Sequence, residues 1–343
     1  MEIQRQVNLT AFTTFKLPFI AKYFAVIKSL PDLKEASEFV ARNDIPTARV
    51  LILGEGSNIL KNQNQIYDGL VLKMEILGLD VIQEQAGEVY LKIGAGEVWD
   101  SVVSRTVAMG LSGVEAMSAI PGTAGATPIQ NVGAYGREIK DVLVELECYE
   151  LETGVVKVFS NTECEFGYRD SIFKHRLAGQ YAITSITIKL TRQPAVIPDY
   201  QGVKEYFIKA GIANPSQQEI RGAIIAIRNI KLPDPKTVAS VGSFFKNPII
   251  SQEHFLQLQK NFSELKTFQL ESGQHKVSAG WLLESLGYKG KQIGNLQFYS
   301  NNALVLVNRS GATFLELMTV VDNVKLKVQQ TYGIDLEIEP LVI

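Results

Sequence analysis

The stretch SAIPGTAGATPIQNVGAYGRE, residues 118–138, is rich in Gly, Ala, Pro and Thr and carries almost no charge. That combination describes a surface made of main chain. Glycines at 122, 125 and 133 permit backbone angles and close approaches that a Cβ forbids, while Pro121 and Pro128 stiffen the path and remove two donors. Amides left unpaired by such a loop need a partner. Successive N–H groups in a tight glycine-rich curve form an anion-binding concavity without any basic side chain, so a diphosphate is the expected occupant. A long irregular linker is the competing reading, although linkers of this length are uncommon inside compact domains unless functional.

Upstream, the apolar run 50–53 reads as a strand that feeds into a second glycine loop, Gly54-Glu55-Gly56-Ser57-Asn58. Residues 89–93 alternate as a strand, and 98–109 repeat apolar side chains at helical spacing. Downstream, Val142, Val144, Leu146 and Cys148 alternate on one face before a Thr153-Gly154 turn and a returning 155–159, which predicts a hairpin. A further alternating strand covers 182–190, after which Pro194 and Pro198 mark an exposed, irregular connection. Ser216 and Glu219 match a capping box before a helix with Ile220, Ala223, Ile224 and Ile227 on one face, stopped by Pro233 and Pro235. Helical patterns recur at 277–286, closed by Gly287, and at 314–332, closed by Gly333, with a strand at 303–307 between them. The mixture predicts an α+β fold.

A chain of 343 residues exceeds the usual span of one core, so two or three domains are expected. A net charge of −2, with both signs scattered, gives no footprint for nucleic acid or an anionic membrane. The two cysteines, Cys148 and Cys164, are too few for a disulfide framework or a metal cluster and read as buried thiols in a reducing compartment. The first residues lack a basic start followed by an apolar core, and no apolar run approaches membrane-spanning length, so a cytoplasmic protein is expected. Neither glycine loop matches the dinucleotide G-x-G-x-x-G fingerprint or the G-x-x-x-x-G-K-[ST] phosphate loop. What remains is a dinucleotide held between two loops about sixty residues apart, which suits a cofactor lying along a domain interface.

Six motifs follow one another along the chain: GEGSNIL at 54–60, IPGTAGATPIQNVGAYG at 120–136, YRDS at 168–171, KLPDPK at 231–236, GSFFKNP at 242–248 and AGWLLE at 279–284. In this order they resemble the UDP-N-acetylenolpyruvoylglucosamine reductase family, flavoenzymes that make UDP-N-acetylmuramate for bacterial peptidoglycan and so serve cell-wall biogenesis, shape and division. The resemblance spans essentially the whole chain. It implies a two-subdomain FAD-binding domain of the PCMH/vanillyl-alcohol-oxidase type plus a C-terminal α+β substrate-binding domain. The corresponding divisions are 1–75, 76–215 with a mobile loop near 194–205, 216–333, and a strand at 334–343 that returns to the active site.

The cofactor contacts that the resemblance implies are Gly54, Gly56, Ser57 and Asn58 in the first loop and Ile120, Pro121, Gly122, Thr123, Gly125, Ala126, Thr127, Gln130, Asn131 and Gly133 in the second. Gln130 and Asn131 are the expected amide partners for the flavin end. FAD oxidases of the broader family often link flavin through histidine, but His175, His254 and His275 lie outside both loops, so noncovalent FAD is expected. The implied partners are NADPH and UDP-N-acetylenolpyruvoylglucosamine, with the oligomeric state left open, a monomer included. No metal is implied.

In this chemistry hydride passes from flavin N5 to the vinyl carbon of an enolpyruvyl ether, and negative charge develops on the adjacent carbon and carboxylate. Stabilising it needs positive charge or hydrogen-bond donors where the charge appears, and a proton donor must quench the carbon. Arg169 offers a planar fork that grips a carboxylate at any working pH, although by composition alone Tyr168-Arg169-Asp170 could be a surface turn. The resemblance makes it the catalytic arginine. Ser243, between Gly242 and two phenylalanines, reads either as a buried structural serine or, by resemblance, as the proton donor. Alternation puts Glu337 and Glu339 on one face of a strand, so periodicity cannot choose between them. The family motif selects Glu339, although Pro340 stands where a β-branched residue is expected and implies a strand edge or end. Lys231, Asn247 and Lys289 match positions contacting the UDP-sugar, joined by Tyr168, Arg228 and Asn302. Tyr200 resembles the mobile-loop tyrosine of one subtype, a lid over substrate. A binding module without activity is the non-enzymatic alternative; retention of Arg169, Ser243 and Glu339 together speaks against it.

Overall fold

The computed structural model describes residues 1–343. Their contacts divide them into two compact units: Met1–Val7, Ile20–Gly56 and Ile66–Arg228 form the first, and Asn8–Phe19, Ser57–Gln65 and Asn229–Ile343 the second.

The first unit holds two sheets. In one, strands Gln4–Asn8, Ile20–Ile27, Ile66–Met74 and Val50–Leu53 lie side by side in that order, the last three parallel. The other is antiparallel, ordered Val156–Ser160, Leu143–Glu150, Tyr181–Thr191, Glu88–Gly94 and Leu79–Gln85. The predicted hairpin is the first pair of this sheet. Its central strand departs from the expected alternation: every residue from Ala182 to Ile188 is buried, because both faces are covered. Helix Trp99–Ala108 contributes Trp99, Val102, Val103 and Val107 to the same core.

A smaller cluster joins Val203 and Phe207 of helix Gln201–Ala210 to Ile220, Ala223, Ile224 and Ile227 of helix Gln217–Lys231. The capping box is present: Ser216 N–H donates to Glu219 Oε2 at 2.7 Å, and Glu219 N–H to Ser216 Oγ at 3.3 Å. The helix Gln201–Ala210 occupies a stretch where the prolines suggested only irregular chain. With Gly202 inside and two buried apolar side chains, it draws its stability from this packing and not from propensity. Where the division at 216 assigned the whole helix Gln217–Lys231 to the substrate region, its residues as far as Arg228 cluster with the first unit.

In the second unit an antiparallel sheet is ordered Ser240–Ser243, Asn302–Asn308, Leu296–Tyr299 and Gln292–Ile293. A three-stranded sheet, Ile249–Ile250, His275–Val277 and Thr267–Gln269, stands beside it in sequence. The helix expected from 277 starts at Ala279, because Val277 completes a strand and Ser278 Oγ caps the Trp281 N–H. Helix Phe314–Tyr332 follows its predicted span. Thr313 caps it, Gly333 at φ +64 ends it, and Leu317, Val320, Val321, Val324 and Val328 are buried along one face. Phe15, Leu17 and Leu60, from early excursions of the chain, complete this core.

One charged pair ties the glycine-rich loop of the first unit in place. Ala119 stands at φ +56, which costs energy for a residue with a Cβ, and its N–H donates to Asp100 Oδ1 at 2.6 Å. Arg221 grips the same carboxylate with two hydrogen bonds of 2.5 and 2.9 Å. Burial pushes the Asp100 carboxyl up, but the Arg221 hydrogen bonds, the Ala119 amide and the neighbouring guanidinium charges hold it below the usual carboxylate range. A carboxyl depressed in this way stabilises the fold above its unfolded pKa of about 3.9 and loses that contribution as pH falls through the folded value. Replacing Arg221 with Met is expected to lower the unfolding free energy by about 1–3 kcal/mol at neutral pH. The difference should shrink in acid; urea denaturation at neutral and acidic pH measures it, and equal losses at both would exclude the pair as its source.

Candidate active site

Within the first unit the two glycine loops meet. A Cβ on Gly54 would stand 2.6 Å from Thr123 Oγ1, and one on Gly125 would stand 2.5 Å from the Ala95 Cβ. The Gly122 N–H, at a residue with φ +125, donates to the Glu55 carboxylate at 2.7 Å. Below the first loop Lys73 Nζ donates to Gly54 O at 3.0 Å, its pKa drawn down by burial against the opposing pull of Glu75 and Glu55. The expectation of a row of unpaired amides needs correction. Ala126, Thr127 and Val132 donate to main-chain oxygens within the loop, which folds back through a 3₁₀ turn at Ala124–Ala126, while Ala124 and Gly125 donate to Glu97 O and Ala95 O beyond strand Glu88–Gly94. What it offers a ligand is closely approachable backbone. The Gly122 N–H points at an acidic oxygen, that of Glu55, and a diphosphate oxygen that displaced this carboxylate would meet the same donor.

The other expected cofactor residues separate. Ile120, Pro121, Gln130 and Gly133 line the same loop, and Thr127 is buried with Oγ1 donating to Ala124 O at 2.7 Å. Ser57 and Asn58 fall in the second unit, so the motif Gly54–Asn58 is divided between the two. Asn131 was expected to face the flavin, but it is fully buried and committed elsewhere. Its Nδ2 donates to Glu138 Oε2 at 2.8 Å and to Gly167 O at 2.9 Å, while Oδ1 accepts from Lys140 N–H. Its amide anchors the loop to the turn that carries Arg169.

That turn is tight. Gly167 and Asp170 bridge one another, and Arg169 between them adopts φ +54, a conformation that costs energy for a side-chain-bearing residue and clusters at functional sites. Arg169 Nη2 donates to Gly133 O at 2.8 Å, Nη1 lies 3.8 Å from Glu138 Oε1, and the guanidinium sits 5.3 Å from the centre of the Tyr168 ring. The arginine is thereby held against the end of the glycine-rich loop. Tyr135 closes that loop at φ +52, its ring edge-on to Tyr200 with centroids 5.1 Å apart. Tyr200 immediately precedes helix Gln201–Ala210. Burial draws the Arg228 guanidinium below its usual value, opposed by the Tyr135 hydroxyl that it bonds and by Asp100.

The second unit joins Ser243 and Glu339. Strand Ser240–Ser243 loses register against Asn302–Asn308 at Gly242, whose φ of +74 makes a bulge just before Ser243. Phe244 and Phe245, each 1% exposed, lock the next two residues into the core. Glu339 N–H donates to Phe244 O at 2.9 Å, Phe245 bridges Ile338, and Lys246 N–H donates to Glu337 O. The expected strand across 334–343 is reduced to that single bridge and, beyond a proline that has no N–H to give, to Leu341–Val342, which pairs parallel to Ile59–Leu60. Environment separates the two glutamates that periodicity leaves equal. Glu337 is 70% exposed and paired with Lys246 at 2.5 Å, whereas Glu339 is half-buried beside the Ser243 segment.

Among the expected substrate contacts in this unit, Asn247 Oδ1 accepts from Ala279 N–H at 2.9 Å, which fixes the orientation of its amide. Asn302 Oδ1 accepts from Leu304 N–H at 3.1 Å. Lys231 ends its helix exposed, and Lys289 pairs with Glu284 at 3.1 Å on the surface. Lys73, Asp100, Tyr135 and Arg221 escaped the sequence reading. Each acts on the loop through distant partners, and only the seven-residue spacing of Arg221 and Arg228 on one helix face hinted at a shared task.

Residues 234–343 match the family model of the C-terminal domain of UDP-N-acetylenolpyruvoylglucosamine reductase, and residues 21–160 match an FAD binding domain. A UDP-N-acetylenolpyruvoylglucosamine reductase from Flavobacterium johnsoniae is 40% identical, with all of both chains covered. The one from Bdellovibrio bacteriovorus is 39% identical over 99% of each. The crystal structure of the reductase from Thermus caldophilus superposes with a TM-score of 0.70 at 23% identity, covering 100% of this chain and 99% of that one, and shares the fold. The α+β architecture with an FAD-binding part and a C-terminal domain is thus as the motifs implied. By full-length similarity and both domain matches, the chain is an FAD-dependent oxidoreductase and belongs to the UDP-N-acetylenolpyruvoylglucosamine reductase family.

Proposed function

We propose that this chain reduces UDP-N-acetylenolpyruvoylglucosamine to UDP-N-acetylmuramate with NADPH as electron donor, in the cytoplasmic supply of peptidoglycan precursor. The observation that carries this reading is the 2.9 Å hydrogen bond from Glu339 N–H to Phe244 O, which joins a half-buried carboxylate to the segment bearing Ser243. FAD, when bound, supplies the two-electron chemistry that links a nicotinamide to the enolpyruvyl double bond.

The protein's own residues handle charge and proton. Arg169 takes the substrate carboxylate in two hydrogen bonds, and its turn, strained and tied to Gly133, orients the guanidinium before substrate arrives. Glu339 acts with it on the enolate. Ser243 gives its hydroxyl proton to the carbon beside the carboxylate as hydride adds to the other vinyl carbon, and recovers a proton from water. Lys231 and Lys289 neutralise the diphosphate, Asn247 and Asn302 bond the nucleotide sugar, and Tyr168 and Arg228 complete the pocket. Tyr200 closes over the substrate, as in the subtype with a mobile tyrosine loop. Flavin is held noncovalently, since His175, His254 and His275 all lie outside the two glycine loops.

The purified protein should be yellow, bleach with NADPH and recover its colour on addition of UDP-N-acetylenolpyruvoylglucosamine; bleaching without recovery would refute the acceptor. In stopped-flow absorbance, Ser243→Ala should leave bleaching near the wild-type rate and slow recovery by about 10²–10⁴-fold. Normal recovery removes Ser243 from the mechanism. Arg169→Lys keeps the charge and loses the fork, so kcat/KM should fall by about 10²–10³-fold with the melting temperature little changed. Steady-state kinetics and a thermal melt check it, and wild-type kinetics would exclude a bidentate role.

A further inference from the structure

We infer that Lys61 is a positioning residue for Glu339, its buried ammonium locking the short ladder that delivers the glutamate from its downstream side. The inference rests on the proposed role of Glu339. Pro340 follows that residue directly and contributes no N–H, so the first main-chain donor after Glu339 is Leu341. Leu341 N–H donates to Asn58 O, Ile343 N–H to Leu60 O and Asn62 N–H to Ile343 O, each at 2.9 Å. Two residues per strand make a ladder too short to persist unaided.

Lys61 stands at its closing end. The side chain is 3% exposed, and Nζ donates to Asn62 Oδ1 at 2.7 Å, to Asn64 O and to Ile343 O at 3.4 Å. Three donors thus meet three oxygens, two amide oxygens on the turn after Ile59–Leu60 and that of Ile343 across the ladder. Burying an ammonium is costly. Burial indeed draws the Lys61 pKa below its usual value. What the charge adds is a tie between the turn and residue 343. At the other end Asn58 Nδ2 makes a long 3.5 Å contact to Glu339 O, and Glu339 N–H bonds Phe244 O. Glu339 is therefore suspended between the Ser243 segment and a ladder that Lys61 closes.

The test is a double-mutant cycle on the FAD-loaded enzyme with Lys61→Met, Glu339→Gln and the pair. Lys61→Met should leave flavin content and bleaching by NADPH unchanged and slow recovery with UDP-N-acetylenolpyruvoylglucosamine by about 10–100-fold. In the Glu339→Gln background it should add less than about twofold, since the group it positions is already gone. Unchanged recovery, or the same factor in both backgrounds, overturns the inference. Should Lys61→Met fail to retain flavin, Lys61→Gln, which keeps a donor, runs the same cycle with the same outcomes. Amide hydrogen exchange at Leu341 and Ile343 gives a readout independent of turnover: faster exchange there in the variant than in the wild type supports the clamp, and equal exchange refutes it. A wild-type enzyme that never recovers colour points instead to failure of the proposed activity.

Discussion

Close approach to glycine backbone is the constraint on which the first unit's site depends. Where Gly54 faces Thr123 and Gly125 faces Ala95, a Cβ would stand 2.5–2.6 Å from its neighbour, inside any permissible contact. Removing those atoms lets two loops from different parts of the unit share one surface. The consequence is a ligand surface made of backbone, with charge supplied from beneath by Lys73 and from the side by Glu55. Such a surface keeps its shape only if the loop is tethered, and the tethers are polar: Asp100 on Ala119, Asn131 on Gly167, Arg169 on Gly133. Buried polar networks of this kind specify one arrangement because a partly satisfied version is costly.

The second unit solves a different problem with the same means. The segment of Glu339, near the end of the chain, bonds the segment of Ser243 about a hundred residues earlier in sequence, and no regular sheet joins them. Isolated main-chain bonds, at Phe244, Phe245 and Lys246, hold the segment on one side, and the ladder to Ile59–Leu60 holds it on the other. The bulge at Gly242 leaves Ser243 half-buried while its two aromatic neighbours go fully into the core. The local irregularity therefore sits where the chemistry is proposed.

Legibility in the sequence followed the reach of the interactions. The helix Phe314–Tyr332 was readable residue for residue, because its apolar period, Thr313 cap and Gly333 stop are all local. The hairpin around Thr153-Gly154 was readable for the same reason. The helix Gln201–Ala210 was not, since its two buried side chains acquire meaning only against Ile220 and Ile224. Burial on both faces of Tyr181–Thr191 was equally hidden, because nothing in a strand's own sequence reports what covers its second face. Among site residues, Gly54 and Gly125 announced themselves by type. Asn131 misled, because an asparagine in a glycine-rich loop looks the same whether its amide faces a ligand or the protein.

By itself, then, the sequence determined the family, the α+β class, the helix limits set by caps, and the residue types that a backbone-lined cofactor loop requires. Those properties depend on neighbours within a few positions, or on ordered motifs that survive being read one at a time. The tertiary structure alone decided that the loop amides of Ala124 and Gly125 are satisfied by Glu97 and Ala95, that Glu337 is exposed and paired with Lys246 while Glu339 is half-buried, and that Lys61 closes the ladder behind it. Each of these is a hydrogen bond or an ion pair between residues far apart in the chain. Such contacts are set by where folding brings donors and acceptors, which no local pattern encodes.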